Sequence, residues 1–175
     1  MRLFIAINFD DKVKDYLFSI IKILSANSKK GSFTLKENLH LTVIFIGETE
    51  RANDIMQAMD RLSTKQFSLK FGDLGYFRRD GGNIYWIGVE KSSQLSEIYN
   101  NLFYELSASG FGIEKREYRP HLTLGRQVIL SKDFNKDCIS YNEMKVPVTN
   151  ISLMKSERIN GKLTYTEIYS KQLSI

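Results

Sequence analysis

The chain alternates between short apolar runs and segments in which apolar residues recur every three or four positions. The run RLFIAINF at residues 2–9 predicts a buried strand. Residues 10–27 predict a helix, since their apolar residues share one helical face: Val13, Leu17, Ile20, Ile21 and Leu24. An acidic start suits the positive end of this helix.

The same patterns continue to the end of the chain. Strands are predicted at residues 39–46, 67–77, 84–90, from 121 onward, and at 145–156 and 162–170. Helices are predicted at 52–63 and 92–110. The KKGS segment at 29–32 is expected to break the chain, and 131–143 to form a loop. Asn160-Gly161 is a hairpin-turn signal.

Two strand–helix–strand units resemble each other. Ile5 precedes His40 by as many residues as Trp86 precedes His121, and both second strands open on His-Leu-Thr. This indicates a weak internal duplication.

Composition and charge narrow the class of protein. The 175 residues are 42% hydrophobic, which is enough for one compact domain spanning 1–175. A formal net charge of +5 favours an anionic ligand without proving one. The single cysteine, Cys138, excludes an intramolecular disulfide, and no apolar run approaches the roughly 20 residues of a membrane span. We therefore expect a cytoplasmic protein without membrane contact.

His40 and His121 are the only histidines. A histidine in a strand is usually a hydrogen-bonded structural residue, so this interpretation comes first. However, a second histidine is followed by Leu-Thr by chance in roughly 1 case in 200 at this composition. The repeated tripeptide therefore favours a shared function.

The tripeptide has a chemical consequence. Alternate strand residues share a face, so His40 projects beside Thr42, and His121 beside Thr123. If two similar lobes face each other, one cleft receives two imidazoles and two hydroxyls. Such a set suits phosphoryl transfer, in which one imidazole activates the nucleophile and the other protonates the leaving oxygen.

Other chemistries fit less well. Two histidines alone do not make a zinc site, and the sequence has no Cys pair, His-x-His or His-Glu-x-x-His. It also has no Gly-x-Ser-x-Gly elbow and no phosphate-binding loop of the Gly-Lys-Ser/Thr kind. We expect neither a metal nor a cofactor.

Paired His-x-Thr-x motifs resemble those of the 2H phosphoesterase superfamily. The segments MRLFIAI, ENLHLTVIFIGE, RPHLTLGR and LMKSERINGKLTY are similar to the LigT-like RNA 2′,3′-cyclic phosphodiesterases over nearly the whole chain. One His-x-Thr is a weak motif, but two with these flanks in this order are specific.

The resemblance implies an α+β fold of two lobes, each an antiparallel sheet with outer helices, around a central cleft. It implies metal-independent hydrolysis of a 2′,3′-cyclic phosphate to a 2′-phosphate. His40 then corresponds to the proton donor and His121 to the proton acceptor. Thr42 and Thr123 would bind the non-bridging phosphate oxygens. Some relatives also join RNA ends through a 2′,5′ linkage.

Other positions are less specific. Arg126 matches a family arginine that follows the second motif, but alternation places it opposite His121 unless the strand twists or bulges. Phe45 is a candidate for stacking on a base, although alternation favours a core position. Phe33 stands where relatives often have tryptophan, which leaves base stacking at the cleft rim open. Residues 76–79 (YFRR) suit single-stranded RNA or a solvated loop.

Alternative functions remain. The fold is also compatible with a non-catalytic RNA-binding module, although binding alone does not require two matched imidazoles. A phosphodiesterase for 2′,5′-linked oligonucleotides or other small cyclic phosphates would carry the same motifs. We expect a monomer whose partners are RNA ends or nucleotides with a 2′,3′-cyclic phosphate.

Overall fold

The computed structural model describes residues 1–115, 117–139 and 144–175. Its helices are α1 (Asp11–Ala26), α2 (Ala52–Asp60) and α3 (Ser93–Ala108), with short 3-10 turns at Lys36–Asn38 and Lys136–Cys138. Its strands are β1 (Arg2–Asn8), β2 (Ser28–Phe33), β3 (His40–Glu48), β4 (Phe67–Phe77), β5 (Asn83–Val89), β6 (His121–Leu130), β7 (Lys145–Val148), β8 (Asn150–Ile159) and β9 (Lys162–Gln172).

The strands form two sheets. The four-stranded sheet has the order β3-β1-β8-β9, and the five-stranded sheet has the order β2-β6-β5-β4-β7. All neighbouring strands are antiparallel. Each sheet carries one His-x-Thr strand, β3 in one and β6 in the other. The predicted α+β fold with two sheet-based lobes is confirmed.

The helices form because their apolar stripes have a core to bury. The Asp10 side chain accepts from the Val13 amide at 2.9 Å and caps α1, and Ser92 caps α3 through the Leu95 amide at 3.1 Å. Apolar residues of both helices and both sheets join one core cluster. Among the described residues, no helix is both long and apolar enough to cross a bilayer.

Two expectations from the sequence are wrong. Residues 29–32 do not break the chain but lie in β2, an edge strand that pairs with β6. Residues 29–32 are exposed, so the segment carries no apolar signal. Residues 145–156 form two strands rather than one, because β7 pairs with β4 while β8 pairs with β1 in the other sheet. Of the predicted loop at 131–143, residues 140–143 lie outside the described residues.

The hairpin of β8 and β9 turns at Asn160 and Gly161, as predicted. Both residues have positive φ, +50° and +78°, as the tight hairpin turn requires. This hairpin approaches the segment before β3, although β3 and β9 lie at opposite edges of the four-stranded sheet. There the Asn38 side chain donates to the Leu163 carbonyl at 2.8 Å, and Lys162 pairs with Glu37 at 2.5 Å.

Candidate active site

His40, the first residue of β3, is held through both ring nitrogens. Its Nδ1 lies 2.7 Å from the Asn38 carbonyl oxygen, and its Nε2 lies 2.9 Å from the Thr42 hydroxyl. A carbonyl only accepts, so Nδ1 carries the hydrogen in the neutral ring. The Thr42 hydroxyl then donates to Nε2, as expected for side chains on one strand face.

His121, the first residue of β6, repeats this arrangement. Its Nδ1 lies 2.6 Å from the carbonyl oxygen of Arg119, again two residues earlier in the chain. Both neutral imidazoles therefore carry their hydrogen on Nδ1, which makes Nε2 the nitrogen that can accept a proton.

Aromatic rings surround each histidine. His40 lies 4.9 Å from Phe4 and 5.2 Å from Tyr165 between ring centroids, and the Tyr165 ring is perpendicular to it. His121 lies 5.1 Å from Phe77, also perpendicular, and 6.1 Å from Trp86. These rings form the walls beside both imidazoles.

The environment of His40 favours its neutral form. Burial lowers the pKa of His40 below its ordinary value of 6.5, and the positive charges of Lys14 and Arg126 lower it further. The hydrogen bond to the Asn38 carbonyl acts in the opposite direction on this pKa but does not outweigh burial.

A β-bulge follows each His-x-Thr. On β3, Thr42 pairs with Ala6 and Ile44 with Ile5, so Val43 is an extra residue. On β6, Thr123 pairs with Trp86 and Gly125 with Tyr85, so Leu124 is extra. Both strands consequently show two successive buried residues followed by an exposed one. The bulges reverse the alternation of the side chains that follow.

The expected core position for Phe45 is wrong for this reason. Phe45 pairs with Phe4, lies on the same face as His40, and is 46% exposed. The guanidinium of Arg2 lies 5.1 Å from the centre of its ring. Strict alternation along the strand predicted the wrong face for Phe45, because the sequence does not reveal the one-residue bulge.

Arg126 occupies the corresponding position after the second bulge. Its exposed side chain lies on the cleft side, opposite Ser32 of β2. Its positive charge contributes to lowering the pKa of His40. Burial raises the pKa of Tyr165, and the charge of Arg126 opposes this rise. Arg126, from the five-stranded sheet, thus lies close to residues of the four-stranded sheet.

The two His-x-Thr strands come together where the lobes meet. Strands β3 and β6 contact each other. The Tyr118 hydroxyl, on the segment that enters β6, donates to the backbone carbonyl of Thr42 on β3 at 3.1 Å. The structure therefore places the two motif strands in contact, with Thr42 bonded to His40 and the Arg126 charge close to the His40 ring.

Of the other residues singled out in the sequence, one contacts a motif histidine, and the rest pack elsewhere or are exposed. Phe77 contacts His121, whereas Tyr76 is 50% exposed and contacts Tyr85. Arg78 and Arg79 are exposed beside the turn, and Phe33 packs against the core. The sequence did not indicate the residues that surround the imidazoles or hold them: Phe4, Asn38, Trp86, Tyr118 and Tyr165. Of these, Trp86 is the cross-strand partner of Thr123, a relation that depends on the register of the sheet.

Two antiparallel sheets, each contributing a His-x-Thr strand to one junction, define the 2H class of phosphoesterases. The chain belongs to the 2′-5′ RNA ligase superfamily, whose family model matches residues 18–160. The resemblance inferred from the motifs is thereby confirmed.

Relatives of known name match most of the chain. It is 29% identical to the RNA 2′,3′-cyclic phosphodiesterase of Thermotoga maritima, over 98% of this chain and 95% of the relative. It is 33% identical to the enzyme of the same name from Archaeoglobus fulgidus, over 72% of each chain. The crystal structure of Escherichia coli LigT complexed with 3′-AMP superposes with a TM-score of 0.86 at 23% identity, over 99% of this chain and 98% of LigT. At this identity, the similarity to LigT shows a shared fold.

Proposed function

We propose that the protein is an RNA 2′,3′-cyclic phosphodiesterase that opens the cyclic phosphate to a 2′-phosphate. The observation that carries this proposal is the matched pair of imidazoles, each fixed through Nδ1 to the carbonyl two residues earlier. The names of the relatives agree with this substrate class. A binding module would not need two imidazoles fixed in the same tautomer.

The reaction moves two protons. The Nε2 of His121 takes a proton from water as the water oxygen attacks phosphorus. The bond between phosphorus and the 3′ oxygen breaks, and Nε2 of protonated His40 donates a proton to that oxygen. The product carries a 2′-phosphate and a 3′-hydroxyl, and proton exchange with solvent restores both rings.

The lowered pKa of His40 is compatible with its role as donor. In the free protein the ring is neutral near pH 7, and Thr42 donates to its Nε2. A bound phosphate brings a negative charge into the apolar surroundings of the ring, which stabilises the protonated form and raises the pKa of His40. Substrate binding therefore supplies the charge state that the donor requires.

Neighbouring residues hold the substrate. The hydroxyls of Thr42 and Thr123 and the guanidinium of Arg126 bind the non-bridging phosphate oxygens. Phe45, exposed on the His40 face beneath Arg2, stacks on the terminal base. The equivalent positions after the two bulges thus recognise opposite ends of the terminal nucleotide, one the base and the other the phosphate.

Ligation is the same opening of the cyclic phosphate by a different nucleophile. A 5′-hydroxyl of a second RNA replaces water, and its oxygen joins the phosphate through a 2′,5′ linkage with the same two proton transfers. The description of the family model as a 2′-5′ RNA ligase superfamily favours this second activity.

We further propose that the protein is a monomer and forms one domain over residues 1–175. We also propose that it acts in the cytoplasm, which agrees with its single free cysteine, Cys138.

Hydrolysis of 2′,3′-cyclic AMP by the purified protein tests the proposal. Phosphorus NMR should identify a 2′-monophosphate, and exhaustive chelation with EDTA should leave turnover unchanged. A 3′-phosphate product would contradict the proposed bond cleavage, and a loss of activity that divalent ions restore would contradict the two-histidine mechanism.

A further inference from the structure

Tyr118 connects the two lobes at the level of the motifs. It lies three residues before His121, yet its hydroxyl donates to the Thr42 carbonyl at 3.1 Å. Strand β3 lies at the edge of the four-stranded sheet, so its outward backbone groups need a partner from elsewhere. The Tyr118 hydroxyl provides that partner for Thr42.

The Tyr118 ring is itself held firmly. It stacks on Tyr99 of α3 with centroids 4.4 Å apart and planes inclined by only 6°. Burial, followed by the neighbouring Tyr99, raises the pKa of Tyr118 above its ordinary value. The hydroxyl therefore remains a protonated donor throughout the pH range in which the imidazoles titrate.

Both motifs depend on this one side chain. The carbonyl of Arg119, the next residue, accepts from Nδ1 of His121 at 2.6 Å. On the other side, the Thr42 hydroxyl bonds to Nε2 of His40 at 2.9 Å. A shift of Tyr118 therefore moves the His121 ring through Arg119, and moves β3 through the Thr42 backbone.

We propose that Tyr118 is a positioning residue that sets the distance and orientation between the two His-x-Thr motifs. The inference rests on the proposed function and deepens it. In that reaction, the base and the acid act on opposite sides of one phosphorus atom, so their separation must match the substrate. A misplacement of about 1 Å can slow such a reaction by about 10²-fold.

Tyr118→Phe tests this inference, because it keeps the ring stack and removes only the hydroxyl. We expect kcat for 2′,3′-cyclic AMP to fall by about tenfold, with KM changed by less than about threefold. Tyr104→Phe is the matched control, since it removes the hydroxyl of a 71% exposed tyrosine on α3. The control should turn over at the wild-type rate. A wild-type kcat in Tyr118→Phe would overturn the proposal.

The same substitution in a His121→Ala protein distinguishes a positioning role of Tyr118 from a general contribution to stability. In a His121→Ala protein, one of the two positioned groups is missing, so Tyr118→Phe should cause little further loss of kcat. An equal proportional loss in both backgrounds, together with a lower melting temperature, would indicate a merely structural residue and overturn the proposal.

Proton NMR of the two histidines tests positioning without turnover. Their Hε1 resonances should shift in Tyr118→Phe and stay unchanged in Tyr104→Phe. Unchanged resonances in Tyr118→Phe would overturn the positioning role whatever the substrate. By contrast, shifted resonances in a protein whose wild type does not hydrolyse the cyclic nucleotide would refute only the proposed function.

Discussion

At the scale of single residues, the charge of His40 depends on its surroundings. Burial holds the pKa of His40 below 6.5 in the free protein. We expect NMR titration of its Hε1 proton to give a midpoint below that value, and saturation with inorganic phosphate to raise it. Because the unfolded chain takes up this proton first, the contribution of His40 to stability is lost as pH falls below 6.5. A phosphate-independent midpoint would contradict the proposed activation by substrate.

Removal of either imidazole should slow the reaction without unfolding the protein. His40→Ala and His121→Ala should each lower kcat by about 10²–10⁴-fold. The double variant should lose little more than one single variant, since both groups serve one transition state. Steady-state rates and melting temperatures measure this. Near-normal turnover with a large fall in melting temperature would instead show that the histidines are structural.

A substrate with sulfur in place of the 3′ oxygen distinguishes the proton donor from the proton acceptor. A 3′-thio leaving group departs without protonation, so this substrate should largely rescue His40→Ala and leave His121→Ala slow. Rescue of His121→Ala instead would mean that the donor and the acceptor are exchanged.

At the scale of elements, β4 and β5 position the wall beside His121. Trp86 of β5 lies across Gly75 of β4, where a Cβ atom would overlap its ring. Gly75→Ala should therefore displace Trp86, destabilise the fold by about 1–3 kcal/mol, and lower kcat/KM. Chemical denaturation and the fluorescence of this single tryptophan provide the measurements.

Gly112→Ala is the control, because a Cβ atom there meets no atom within 4 Å. Its stability should stay within about 0.5 kcal/mol of the wild type. Equal stability and tryptophan emission in both variants would contradict the packing role of Gly75.

The elements also show what a sequence can and cannot predict. Helix α1 was predictable because it buries apolar residues at helical spacing, and strands β1 and β3 because each buries apolar residues of a short apolar run. Strand β2 was not, since its central residues 29–32 are exposed and the strand pairs with β6 through its backbone. The imidazoles and threonines followed from a repeated motif. The orientations of Phe45 and Arg126 depend on bulges, which arise from register and leave no composition signal.

At the scale of the whole molecule, the net charge of +5 should affect longer substrates more than short ones. We expect KM for a short RNA with a terminal cyclic phosphate to rise more steeply with KCl than KM for 2′,3′-cyclic AMP. The reason is that each additional phosphate bound near cations such as Arg78 and Arg79 releases counterions. Equal salt dependence would mean that only the terminal nucleotide contacts the protein.

The docking of the β8–β9 hairpin beside His40 has a consequence for biosynthesis. Asn38 is anchored by Leu163, and the His40 ring packs against Tyr165, although these partners are far apart in the chain. Ribosomal synthesis exposes β3 long before β9 has been translated, so the surroundings of His40 are incomplete on the nascent chain. Contacts of such high sequence separation also form slowly. The His40 imidazole therefore acquires its final environment only after β9 has left the ribosome, and incomplete chains lack the finished surroundings of this ring.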